Sequence, residues 1–129
     1  MRLLLLYSAL LSILAACSVT DDQAHVAMKK FMSGEAIRAL LSRSRSLTVT
    51  SADFKAWLTL QPDGTGVGFA MTKSGSLLDL SGTWQINGDQ FCRKWAFNAH
   101  QEICEHWERV GIREIVVYVD GNAIATNKW

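Results

Sequence analysis

The chain reads as a mainly β protein: a small antiparallel meander, an up-and-down barrel of about eight strands, preceded by a short helix. Three observations predict it. After Leu41 the apolar side chains recur with a period of two, Phe54, Ala56, Leu58 and Leu60 alternating with Lys55, Trp57, Thr59 and Gln61. Turn residues punctuate the chain roughly every ten positions, the rhythm of an all-β sandwich or barrel. No stretch between strands is long enough for the helical crossover that parallel strands need.

The elements follow in order. Residues 24–42 form an N-terminal helical segment. Its pattern is weak before Ser33-Gly34 and clear after it, where Ile37, Leu40 and Leu41 share one face. Ser33 suits the N-cap. Arg38, Arg43 and Arg45 read as a solvated helix face and loop. The β-domain occupies residues 43–129. Its expected strands are Leu47–Thr50, Phe54–Leu60, Thr65–Thr72, Leu77–Ile86, Gln90–Phe97, Ile103–Val110, Arg113–Val119 and Ala123–Thr126. Pro62-Asp63-Gly64-Thr65 is a strong turn, because proline presets φ and glycine accepts a positive one. Asn87-Gly88 is the best hairpin signal in the chain. As a two-residue turn it sets Ile86 opposite Asp89 and Trp84 opposite Phe91. A pairing of Cys92 with Cys104 sets Lys94 opposite Glu102 and Arg93 opposite Ile103, so a charge pair and a sulfur bridge agree on one register. Asp120-Gly121-Asn122 turns the chain into its last strand.

The N-terminus carries an address. Met1-Arg2 opens a leader that is almost unbroken in apolar character from Leu3 to Ala16 and ends Leu14-Ala15-Ala16-Cys17. A positive start, a short apolar run and small residues before a cut are the marks of a secretory signal. Fourteen residues are too few to span a hydrocarbon core, which takes about 20. The run resembles the bacterial lipobox. That resemblance implies that residues 1–16 are removed, that Cys17 is acylated, and that residues 17–23 are a polar tether. Ser18 after the cysteine implies the outer membrane, facing the periplasm. The rival is a plain cleaved signal with an incidental cysteine.

Cutting after Ala16 leaves 113 residues and removes Arg2, so twelve basic side chains face twelve acidic ones. One domain is expected. A net charge of zero gives no basic field for nucleic acid. The membrane is met through the lipid. With Cys17 acylated, Cys92 and Cys104 remain, and two thiols in an oxidising compartment read as one disulfide.

The ordered series Pro62-Asp63-Gly64-Thr65, Gly82-Thr83-Trp84, Gly88, Cys92, Trp95, Cys104, Gly111 and Asp120-Gly121 resembles a family of small exported bacterial proteins of unknown function. The resemblance covers roughly Ile37 to the C-terminus. It implies export and a small β-fold, and it carries no chemistry.

Few groupings invite a chemical reading. His100, Glu102, Cys104, His106 and Glu108 would share one face of a strand, and their side chains suit zinc or copper. A disulfide at Cys104 removes the thiolate, and His100 falls in the expected turn around Asn98-Ala99-His100. The two histidines are then about 20 Å apart, too far for one ion. Gly64, Gly66 and Gly68 leave a turn rather than open a helix, which is the wrong context for a phosphate cradle. Alternate glycines on a strand mark close backbone approach or a bend. There is no nucleophile elbow. Trp57, Trp84, Trp95 and Trp107 fall on different strands, where they either fill a core with its rim or build an aromatic binding face.

The expectation is therefore a non-enzymatic, cofactor-free lipoprotein of the bacterial envelope, acting as a binding or structural module with a ligand or a protein partner in the envelope. Lipid-anchored lysozyme inhibitors and streptavidin-like protease inhibitors are similar in size and architecture, which makes hydrolase inhibition the first alternative. A metal-binding or hydrolytic protein is the second.

Overall fold

The computed structural model describes residues 30–129. The leader, Cys17, the tether and the first part of the expected helical segment lie outside the described residues. Helix α1 spans Gly34–Leu40. The strands are β1 (Arg45–Thr50), β2 (Phe54–Leu60), β3 (Thr65–Thr72), β4 (Leu77–Asp79), β5 (Gly82–Asn87), β6 (Gln90–Trp95), β7 (Glu102–Gly111), β8 (Glu114–Val119) and β9 (Asn122–Lys128), with a 3-10 turn at Ala96–Asn98.

All pairings are antiparallel. The ladder runs β2-β1-β9-β8-β7-β6-β5-β3, and β2 pairs β3 as well. The sheet therefore closes on itself as an eight-stranded barrel with β4 as an extra strand. Closure removes the exposed sheet edges that a sandwich would have to protect. The expected single strand Leu77–Ile86 is divided into β4 and β5. The two halves keep one register along β3: Phe69 faces Asp79, Thr65 faces Thr83, and between them the Leu80 N–H bonds the Gly68 carbonyl. What interrupts the strand is a local loop in which Asp79 Oδ1 accepts from both the N–H and the hydroxyl of Ser81.

Two further expectations are corrected. The hairpin between β5 and β6 turns at Gly88-Asp89, with Asn87 opposite Gln90, Ile86 opposite Phe91 and Trp84 opposite Arg93. Gly88 has φ +59° and Asp89 a negative φ, the signature of a type II′ turn rather than the type I′ turn that Asn-Gly favours. The rings of Trp84 and Phe91 still stack diagonally, with centroids 5.6 Å apart. The helix is shorter than expected, because Lys30–Ser33 is not helical. The Met32 N–H donates to the Trp107 carbonyl at 2.7 Å, which holds this segment along β7 beyond the point where β6 ends. Ser33 then caps α1, its hydroxyl accepting from Ala36 N–H.

Alternation sorts the side chains. Leu47, Leu58, Leu60, Phe91, Trp95, Trp107, Ile115 and Val117 face inward and are buried. The helix lies against β5 and β6, with the Gly34 N–H bonded to Asp89 Oδ1. Ile37 and Leu41 drop from it into the core and close that end of the barrel. Arg45, expected in a solvated stretch, turns back to donate from Nε to the Leu40 carbonyl, satisfying one of the orphan acceptors at the helix end. On β3, a Cβ on Gly66 would sit 2.7 Å from the Trp95 ring, and one on Gly68 would collide with the Trp57 carbonyl. The alternate glycines are there for close approach.

Candidate functional site

The end of the barrel opposite α1 is not plugged. A cavity of about 200 Å³ lies there, walled by Leu58, Leu80, Phe91, Trp95, Trp107 and Val117. Its rim is formed by Phe54, Leu78, Phe97 and Ile124, of which Phe97 and Ile124 are exposed. Small residues make the room: Ala70 on β3 and Ala125 on β9 both line it. Engineered apolar cavities of about 150 Å³ hold benzene, so this one is large enough for a substituted ring.

Three polar side chains line this otherwise apolar wall: Arg93, Glu105 and Asn127. Arg93 sits between Phe91 and Trp95 on the inner face of β6, and Glu105 precedes Trp107 on β7. Arg93 Nε donates to Glu105 Oε2 at 2.6 Å, with both side chains largely buried, and Trp107 Nε1 donates to Glu105 Oε1 at 3.0 Å. Both carboxylate oxygens are thus engaged. The guanidinium is engaged only through Nε: Arg93 Nη1 is buried without a hydrogen-bond partner among the described residues. Asn127 is buried too, and its side chain makes no hydrogen bond to a described residue. An apolar cavity with a few convergent polar groups is the usual form of a small-molecule site.

The aromatic candidates separate. Trp95 and Trp107 are buried and line the cavity. Trp84 is half-buried on the same inner face, its Nε1 donating to the Thr65 carbonyl. Trp57 faces outward, 39% exposed, with its ring centroid 5.2 Å from that of Phe69 and Lys55 above it. The four do not form one face.

Cys92 and Cys104 are bonded as a disulfide on the outer face, directly opposite each other between β6 and β7. Lys94 faces Glu102 and Arg93 faces Ile103, as the register from the two cysteines requires. Among the described residues, the group with metal-ligand chemistry is Cys92, Glu102 and Cys104, and its two sulfurs are spent on each other. His106 stacks on Phe31, with centroids 4.7 Å apart. His100 sits in the turn after the 3-10 segment with φ +58°. The structure does not bring the two histidines into one site.

Sequence reasoning missed Arg93, Glu105 and Asn127. The signal was present on β6 and β7. Phe91-x-Arg93-x-Trp95 puts a charge between two aromatics on one face, and Glu105-x-Trp107 repeats the arrangement with the opposite sign. Among the described residues no helix is long and apolar enough to cross a membrane. No family model, curated protein or solved structure matches this chain.

Proposed function

We propose that this protein is a lipid-anchored binding module of the bacterial envelope that holds a small apolar molecule inside its barrel. The observation that carries the binding reading is the cavity of about 200 Å³, closed below by α1, open at a rim of apolar side chains and lined by three polar groups. A barrel of eight strands has room for its own side chains or for one small ligand. The alanines at positions 70 and 125 leave the second option open. The anchor reading rests on the Leu14-Ala15-Ala16-Cys17 run. Acyl chains on Cys17 bury methylenes at about 0.8 kcal/mol each, so two or more hold the domain at a bilayer without a spanning helix.

Each half has its own experiment. For binding, toluene is added and thermal unfolding followed. A ligand at a hundred times its Kd stabilises the folded state by about 2.7 kcal/mol. The wild type should show that shift, and Ala70→Leu, which fills the chamber, should lose it. Ala125→Leu repeats the test from β9. No shift in the wild type, or an equal shift in folded filled variants, rejects the reading. For the anchor, Cys17→Ser should leave an uncut, unacylated precursor by mass spectrometry. Normal cutting after Ala16 in the variant, with no acyl mass on the wild type, rejects it.

A further inference from the structure

We infer that the ligand of this barrel is a compact, uncharged apolar molecule carrying one hydrogen-bond acceptor, and that Arg93 is the residue that reads the acceptor. This rests on the cavity reading above and adds the chemistry of the occupant.

Arg93 has more donors than its neighbours use. A guanidinium offers five N–H groups and no acceptor. The Arg93 Nε–H is taken by Glu105 Oε2. Nη1 is buried with no partner among the described residues, and no other bond from the side chain is made to them. Nη1 is fully enclosed by the protein, so the N–H groups an acceptor presented from the cavity can take are those of Nη2, which is not fully enclosed and makes no bond to a described residue. Asn127 offers both a donor and an acceptor, so it tolerates a polar group without choosing between the two.

The charge side excludes an anion. Glu105 already balances Arg93, and its second oxygen is held by Trp107. A ligand carboxylate would bring a second negative charge beside Glu105 into a wall of Phe91, Trp95, Trp107 and Leu58, with one positive charge to serve both. It would be stripped of water for that position. A carbonyl, ester or ether oxygen takes the same N–H groups without the second charge. The size side limits the body to about one ring with a short substituent, since a chamber of about 150 Å³ already holds benzene.

Three probes of matched shape separate these claims: ethylbenzene without an acceptor, acetophenone with a carbonyl, and benzoate with a carboxylate. Each is titrated calorimetrically into the intact protein. A hydrogen bond to a charged donor corresponds to roughly ten- to hundredfold in affinity. Acetophenone should exceed ethylbenzene by that factor, and benzoate should bind more weakly than acetophenone. In Arg93→Met/Glu105→Leu, which removes both charges together, the acetophenone-to-ethylbenzene ratio should fall towards one. If that variant does not fold, the wild-type series decides. Equal affinities for ethylbenzene and acetophenone overturn the inference and leave the cavity reading standing. Tightest binding of benzoate overturns it in favour of an anion site. Failure of all three probes to bind overturns the cavity reading itself.

Discussion

Glu105→Leu should be far more destabilising than its neighbourhood of apolar side chains suggests. The carboxylate is 7% exposed and the Arg93 side chain 13%, and they meet at 2.6 Å. Leucine is a fair filler for the space, so the cost is electrostatic. It strands the guanidinium in an apolar wall and leaves the buried Trp107 Nε1 without its acceptor. Breaking a buried pair from one side costs about 3–5 kcal/mol, which already includes most of the unsatisfied donor. Against a total of roughly 5–15 kcal/mol that is a large fraction of stability. At 4–8 °C per kcal/mol for a domain of about 100 residues, the thermal midpoint should fall by ~12 °C or more. Arg93→Met/Glu105→Leu should recover the electrostatic part of the loss, because no charge is left to strand, and should lie about 1–3 kcal/mol below the wild type, the cost of the Trp107 Nε1 still without its acceptor. Urea unfolding followed by circular dichroism gives the three free energies and hence the coupling. A single substitution costing under about 1 kcal/mol, or a double variant as unstable as the sum of the singles, would show that the pair is not the desolvated unit described here.

The remaining predictions concern the frame. Cys92→Ala/Cys104→Ala opens a loop of sequence separation 12 and should cost about 3 kcal/mol on the chain-entropy model, with β-rich circular dichroism preserved; thermal melting checks it, and a double variant as stable as wild type would strip the bridge of its structural role. Gly66→Ala should cost about 1–3 kcal/mol, since the new methyl meets the Trp95 ring at 2.7 Å, and the tryptophan fluorescence should shift as that ring moves; unchanged stability and spectrum would contradict the packing. Thr65 donates from both hydroxyl and backbone to Asp63, and Ser81 does the same for Asp79, so both carboxyls titrate below the usual range. Their contribution is full above the unfolded carboxylate pKa near 4 and disappears as pH falls through the lowered folded values. Asp63→Asn/Asp79→Asn should therefore flatten the fall in stability below about pH 4, and an unchanged acid limb would refute the assignment.

The barrel was legible because its causes are local. Alternation on Phe54–Leu60 and the paired signals Cys92 with Cys104 and Lys94 with Glu102 each fix a register from a few residues. The Asp120-Gly121 hairpin was legible for the same reason, both residues taking positive φ as a type I′ turn requires. The Asn87-Gly88 hairpin was read one residue early. There a distant contact competes: the Gly34 N–H bonds Asp89 Oδ1, and Gly34 lies so close to the Gly88 carbonyl that no Cβ would fit. The helix was read too long because the Met32 N–H finds its acceptor on β7. The cavity was not legible at all. It depends on which small and large side chains end up facing each other across the closed barrel, Ala70 and Ala125 against Leu58 and Val117. The closure that sets those pairs is completed by β1 with β9, which lie at opposite ends of the β-domain sequence.

The most direct test of a ligand chamber inside the barrel is methyl-resolved NMR during a titration with ethylbenzene. Saturable shifts are expected at Leu58, Leu80 and Val117, which line the chamber, and none at Leu77 and Ile112, which are exposed on the outside. Shifts centred on Leu77 and its neighbours on the outer face, or no saturable shift at the lining methyls, would contradict it.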